Sequence, residues 1–295
     1  MQILQMQRAS VRLQSTALFL FMAAVTWPQC GAFAQTFKSF DFPGAVNTQA
    51  TAVNPSGEIV GRYFDADGSQ HGFVFRHGMF TSIDYPGAVL TDITWVNAQG
   101  EIVGAYNLGT GNRGFLLHAG QFTTIDYAGL ANSYATGISR TGEIVGVGSD
   151  NAGNFIGFLV KNGKFSPVAL PGAAIVFQEP TMLEDAPIVG GYVDNLGTHG
   201  YLLVGASFQT IDCPGATGGI YLSAIDVFGR MAGEMTTPDG HQHGLLINRG
   251  QCLAVDYPDS VSTYANGINQ QGDIVGRYTD TDGKTHGFIA KHFVE

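Results

Sequence analysis

A Val-Gly step, once replaced by Ala-Gly, returns six times along the chain, as Val60-Gly61, Val103-Gly104, Val145-Gly146, Val189-Gly190, Ala232-Gly233 and Val275-Gly276. The intervals are 43, 42, 44, 43 and 43 residues. A second column runs in phase with it: His71-Gly72, Arg113-Gly114, Ile156-Gly157, His199-Gly200, His243-Gly244 and His286-Gly287. A third reads Asp41, Asp84, Asp126, Ala169, Asp212 and Asp256. Self-similarity at a fixed period means one supersecondary unit repeated, with neighbours burying each other's apolar faces.

Each repeat holds four short strand candidates separated by Gly, Asp and Pro-Gly turns. The last reads 264–269, a Gln-Gln-Gly turn, 273–278, the turn Asp280-Thr281-Asp282-Gly283, and then 286–290; a Phe-Thr-x-Ile-Asp-Tyr strand such as Phe80–Tyr85 is the fourth element. Four strands in about 43 residues is the size of a propeller blade. The expectation is an all-β, six-bladed β-propeller with four antiparallel strands per blade. A β-solenoid is the alternative, although its rungs are usually shorter. The described period starts on a fourth strand, 37–42, and ends after a third, so the N-terminal strand should complete the last blade and close the ring without a raw sheet edge.

The unit Ile-Asp-Tyr-Pro-Gly-Ala, Gly-Ile-Asn, Gly-Glu-Ile-Val-Gly and His-Gly-Phe resembles the bacterial probable extracellular repeat, the HAF repeat. Its signature step stands here as His71-Gly72-Phe73, His243-Gly244-Leu245 and His286-Gly287-Phe288. The resemblance covers roughly residues 37–291. It implies a secreted or envelope protein and no particular reaction. Repeat four departs most, with Leu170-Pro171-Gly172 for the usual Asp-Tyr-Pro-Gly and Glu179-Pro180 inside its first strand.

The first 34 residues read as an address. Arg8 and Arg12 precede the apolar run 17–25, and Ala32-Phe33-Ala34 is a small-x-small cleavage pattern before Gln35. That run is too short to span a bilayer. The expectation is a secretory signal over 1–34, a single propeller domain over 35–295, and a secreted or periplasmic location. The whole chain carries −10, and the leader holds two Arg and no acid, so the remainder carries −12. Such acidity argues against nucleic acid and anionic membrane surfaces as partners. Glycine is 41 of 295 residues, about twice the usual share, with no collagen triplet period. Cleavage leaves Cys213 and Cys252, which the repeat assigns to different sheets. They are expected to be free, packed thiols.

Hairpin spacing gives a constellation. The two-residue turn His77-Gly78 puts His71 opposite Asp84. The same reasoning pairs Arg113 with Asp126, His199 with Asp212, His243 with Asp256 and, through closure, His286 with Asp41. In repeat three both polar partners vanish together, as Ile156 and Ala169. Such pairs could be general acid–base dyads, but equivalent pairs spread around a ring are better read as pins of hairpin register.

Other signals are weaker. Asp65-Ala66-Asp67-Gly68 and Asp280–Gly283 have the alternating carboxylates of Ca²⁺ loops without a full ligand set. His241 and His243, with Asp239 nearby, lack a third transition-metal ligand. Glu179, Glu184 and Asp185 are acids special to repeat four, and carboxylate pairs can hydrolyse glycosides. Tyr134, Tyr221 and Tyr264 begin the inner strands; rings there could stack on sugars, or simply fill the core. No nucleophile elbow, zinc-protease or P-loop motif occurs.

The reading is a monomeric, exported binding or interaction module for an extracellular ligand or protein, with no membrane span, no catalytic residue assigned and no cofactor, Ca²⁺ being the one metal its loops could take. A carbohydrate-active hydrolase or lyase, and a passive envelope or matrix protein, are the alternatives. The loops after the second and fourth strands are longer and more varied than the other turns, so ligand is expected on that face, at Asp65, Asp67, Asp239, His241, Asp280 and Asp282.

Overall fold

The computed structural model describes residues 36–168, 175–182 and 187–291, with the backbone alone described at 175–182. The leader, Ala169, Glu184 and Asp185 lie outside these residues. The N-terminal strand is β1 (Thr36–Phe40). Repeat one supplies β2 (Asn47–Val53), β3 (Ile59–Phe64), β4 (Gln70–Arg76) and β5 (Met79–Ile83). Repeat two supplies β6 (Leu90–Val96), β7 (Ile102–Asn107), β8 (Asn112–His118) and β9 (Gln121–Ile125). Repeat three gives β10 (Asn132–Ile138), β11 (Ile144–Ser149), β12 (Phe155–Lys161) and β13 (Lys164–Val168). Repeat four gives β14 (Ile175–Met182), β15 (Pro187–Val193), β16 (Thr198–Val204) and β17 (Ser207–Ile211). Repeat five gives β18 (Ile220–Ile225), β19 (Met231–Thr236), β20 (Gln242–Asn248) and β21 (Gln251–Val255). Repeat six gives β22 (Ser262–Ile268), β23 (Ile274–Thr279) and β24 (Thr285–Lys291).

These strands form five sheets, which corrects the expectation of a six-bladed propeller. Four are four-stranded antiparallel blades: β10–β13, β14–β17, β18–β21, and β22–β24 with β1. The strands of repeats one and two belong instead to one eight-stranded mixed sheet. The cause is local. Gln70, first residue of β4, pairs in parallel with Leu90, first residue of β6, and carries the hydrogen bonding from one repeat into the next. A side-chain period does not record such a backbone contact. The N-terminal strand lies antiparallel to β24, with Ser39 opposite Phe288.

The Val-Gly column has a steric origin. The inner strand of each described hairpin bulges opposite it, between Ala50 and Ala52 in repeat one and between Ala265 and Gly267 in repeat six. The bulge brings an inner-strand carbonyl over the glycine. A Cβ on Gly61 would sit 2.0 Å from the Gln49 carbonyl oxygen, and one on Gly276 1.8 Å from that of Tyr264. Only glycine fits so close an approach. The preceding Val60, Val103, Val145, Val189 and Val275 point the other way and are fully buried, as is Ala232. Phe73, Phe115, Phe158, Tyr201, Leu245 and Phe288 form a second buried column.

Inner strands pack side by side around a channel: β22 against β2, β2 against β6, β6 against β10, β10 against β14, β14 against β18, and β18 against β22. Polar side chains tie neighbours together. The Thr51 hydroxyl donates to the Ile93 carbonyl at 2.9 Å, Thr94 to Ala135 at 2.7 Å, and the Asn266 amide to Ala50 at 2.7 Å. No helix among the described residues is long and apolar enough to cross a membrane.

Cys213 and Cys252 are joined in a disulfide, with Cα atoms 5.9 Å apart. This corrects the expectation of free thiols. Cys213 follows β17 and Cys252 lies in β21, so the two do belong to different sheets. The two sheets pack on one another, with Val189 and Cys213 in one buried cluster with Leu222, Leu245 and Ile247, and membership of different sheets is no barrier to a bridge.

Candidate binding pocket at the channel mouth

The histidine column sits where the third strand begins. His71 Nδ1 lies 2.9 Å from Asp84, His199 Nδ1 2.7 Å from Asp212, His243 Nδ1 3.0 Å from Asp256 and His286 Nδ1 2.9 Å from Asp41. Arg113 Nε is 3.6 Å from Asp126 and its Nη1 donates to the Ala131 carbonyl. The repeat-three counterpart Ala169 lies outside the described residues. Sequence reasoning missed the second partner. Nε2 of each histidine faces a loop residue five or six positions upstream, Asp65 at 3.5 Å, Asp194 at 3.3 Å, Thr237 at 3.1 Å and Asp280 at 3.0 Å. Two of the rings also stack on a second-strand tyrosine, His71 on Tyr63 and His286 on Tyr278, and His199 lies tilted against Tyr192. Each imidazole thus clamps a loop to the end of an outer strand. The Asp212 carboxylate raises the His199 pKa above 6.5, with Asp194 assisting.

The acidic loop residues are largely occupied in closing their own turns. Asp280 Oδ1 accepts the N–H groups of Asp282 and Lys284 at 2.9 Å, while its Oδ2 meets His286. These bonds, the histidine's first, hold its pKa below the usual value. Asp67 accepts the Ser69 N–H and is lowered by it. Asp239 accepts from the Thr237 hydroxyl and the His241 N–H, with the same consequence. His241 is exposed and borders a separate cavity of about 260 Å³ with His243 and Asp256. No three His, Cys, Asp or Glu among the described residues converge as metal ligands. None of Asp65, Asp67, Asp239, His241, Asp280 or Asp282 reaches the channel cavity.

That cavity, of about 460 Å³, opens on the same face, where inner strands begin and second strands end. Arg62, Glu234 and Arg277 line it, with Tyr134, Tyr221 and Asn266. One register position supplies most of these groups. On the second strands, the residue after each Val-Gly or Ala-Gly is Arg62, Ala105, Val147, Gly191, Glu234 and Arg277. Opposite them on the inner strands stand Gln49, Asp92, Tyr134, Phe177, Tyr221 and Tyr264. The position directly after the invariant glycine therefore differs from repeat to repeat. Tyr134 and Tyr221 line this cavity, and Tyr264 lies beneath the Arg277 guanidinium.

The groups are held firmly. Arg62 Nη1 meets both oxygens of Asp92, at 2.8 and 2.6 Å, and its Nε donates to Gln49 at 3.0 Å. The Arg277 guanidinium lies 3.8 Å over the Tyr264 ring. The Tyr134 hydroxyl accepts from Asn112. The opposite mouth is narrower, about 100 Å³, and its Asn54 and Asn97 amides are engaged with the Asn97 and Ser139 carbonyls next door. Of the acids special to repeat four, Glu179 falls on β14, where the register shifts between Phe177 and Thr181.

No protein-family profile and no curated protein sequence matches the chain. Solved structures do. TolB from Acinetobacter baumannii is 12% identical over 84% of this chain, with a TM-score of 0.53, and this chain spans 64% of its length. The Aleuria aurantia lectin, in a complex with Fucalpha1-6GlcNAc, is 10% identical over 83% of this chain and 91% of its own, with a TM-score of 0.54. AofleA from Arthrobotrys oligospora is 13% identical over 88% of this chain and 84% of its own, with a TM-score of 0.50. At such identities the likeness concerns the fold alone: the chain has an all-β, β-propeller-like architecture.

Proposed function

We propose that this protein is an exported binding module that takes its ligand in the channel-mouth pocket. The observation that carries the reading is the wall column: unlike side chains at one register position, directly after a Val-Gly or Ala-Gly step that hardly varies. Architecture alone needs no such variety, whereas recognition needs different groups on a rigid base. The two arginines, Glu234 and the tyrosines are fixed by strands and by one another, which lowers the entropy lost on binding.

Export rests on the leader pattern and on the HAF-type repeat, and the Cys213–Cys252 bridge adds support, since disulfides persist in oxidising compartments. The acidic loop residues lie outside the pocket lining. Their carboxylates serve turn closure first, so the ligand site moves inward from them.

The test is a screen of extracellular glycans, peptides and divalent cations by calorimetry, with each hit mapped by amide hydrogen exchange and assayed for turnover. Protection over 221–234 and 264–277 without turnover is the expected result. Protection confined to the Asn97–Gly100 turn side would remove the assignment of the site, and turnover of a hit would replace a binding module with an enzyme.

A further inference from the structure

The charges around the pocket are balanced among the described residues. Arg62 is matched by Asp92 in a two-oxygen contact, and Arg277 shares the cavity with Glu234. A charged ligand entering such a site must compete for a partner that already has one, and either leaves a carboxylate or a guanidinium uncompensated or brings a surplus charge into a confined space. A hydroxyl behaves differently. It donates and accepts at once, and can insert between an acid and an arginine without disturbing the balance.

The remaining groups suit the same chemistry. Tyr134, Tyr221 and Phe155 offer ring faces or edges to the cavity, and Ser223 and Asn266 add short polar arms. Ring faces pack well against the C–H faces of a pyranose, while arginine, carboxylate and amide groups pair with vicinal hydroxyls in a planar, two-point fashion. The volume of about 460 Å³ falls in the roughly 300–1,000 Å³ range of small-molecule sites. It has room for one or two sugar rings but not for a folded partner's loop.

Building on the pocket assignment above, we propose that the ligand is a neutral carbohydrate, held as one or two sugar units between Glu234 and Arg277 and against the Tyr221 ring. Glu234 accepts from sugar hydroxyls, Arg277 donates to them from its seat on Tyr264, and Arg62 with Asp92 forms the far polar wall.

The experiment is calorimetric titration of the protein with glucose, galactose, mannose, N-acetylglucosamine and their disaccharides. Glucuronate, galacturonate, glucosamine and free amino acids form the charged arm. A neutral sugar should bind, and Glu234→Gln, Arg277→Gln and Tyr221→Leu should each weaken it at least tenfold with the thermal midpoint unchanged. Where a variant unfolds, backbone chemical shifts of the unaltered protein under titration with the same sugar supply the location, and they should move near Tyr221, Glu234 and Arg277. If only the charged compounds bind, and the same variants abolish it, the ligand class is wrong and the pocket stands. If a neutral sugar binds but ignores the variants and shifts amides elsewhere, both the proposal and the pocket fall. Absence of neutral-sugar binding at millimolar concentration overturns the proposal.

Discussion

Tyr201 holds the place that phenylalanine takes in four other repeats, at Phe73, Phe115, Phe158 and Phe288, and it is as completely buried as they are. Its hydroxyl has no hydrogen-bond partner among the described residues, and desolvation raises its pKa. A buried donor without a partner costs free energy that a hydrocarbon would not. Tyr201→Phe should therefore stabilise the protein by about 1 kcal/mol, read as a higher urea midpoint at unchanged slope. His199 permits a pH test. Its folded pKa is raised, so the stability contributed by its contacts with Asp212 and Asp194 is fully present below the unfolded value and fades as pH rises through the folded one. NMR titration should place the His199 midpoint above 6.5, and Asp212→Asn should bring it down. How much of this clamp can be read from spacing depends on the side of the ring. A two-residue turn fixes which outer-strand residue lies across from the histidine. The Nε2 partner sits across a loop, whose path no strand period dictates.

The start of the second strand carries an acid that pairs with the end of the third: Glu58 with Arg76, Glu101 with His118, Glu143 with Lys161 and Asp273 with Lys291. Repeats four and five break the pattern; in repeat four Pro187 stands opposite Val204. In repeat five Arg230 stands where the acid should be, pairs with Asp226 four residues earlier, and donates to the Gln270 carbonyl of the next repeat at 3.0 Å. Both side chains are nearly inaccessible, at 8% and 2% exposure. Arg230→Ala leaves Asp226 buried without its counter-ion and should cost about 3–5 kcal/mol. His118→Ala, at an exposed pair, should cost under about 1 kcal/mol. Chemical denaturation of the two variants checks the contrast. At this scale the strands themselves were legible, because alternation, Gly turns and the Val-Gly period are local. The channel-wall column is legible too, in a form easily passed over: the residue following the fixed glycine changes from Arg62 to Ala105 to Val147 to Gly191 to Glu234. Attention to what repeats conceals the position that does not.

Across the whole molecule, two features lay beyond the repeat. The Gln70–Leu90 pairing merges two repeats into one eight-stranded sheet, and Cys213–Cys252 staples the edges of two blades. Each depends on how neighbouring units approach, and an internal period is silent on that. The staple closes a sequence separation of 39 residues, so its removal by Cys213→Ser with Cys252→Ser should destabilise by about 2–4 kcal/mol. Guanidinium unfolding of the double variant, beside the parent with and without reductant, measures it. A loss near zero would mean the packing between the two blades, rather than the cross-link, holds that seam. The remaining feature is the partnership of Thr36–Phe40 with Thr285–Lys291. A ribosome releases the first of these segments more than five repeats before the second. The earlier strand must wait, edge unsatisfied, until β24 has emerged. The seam is consequently a timer: hairpins can form as they appear, but the finished structure cannot lock before its last strand arrives. Any interruption that withholds that strand leaves a chain with an open edge for proteases and other strands to find.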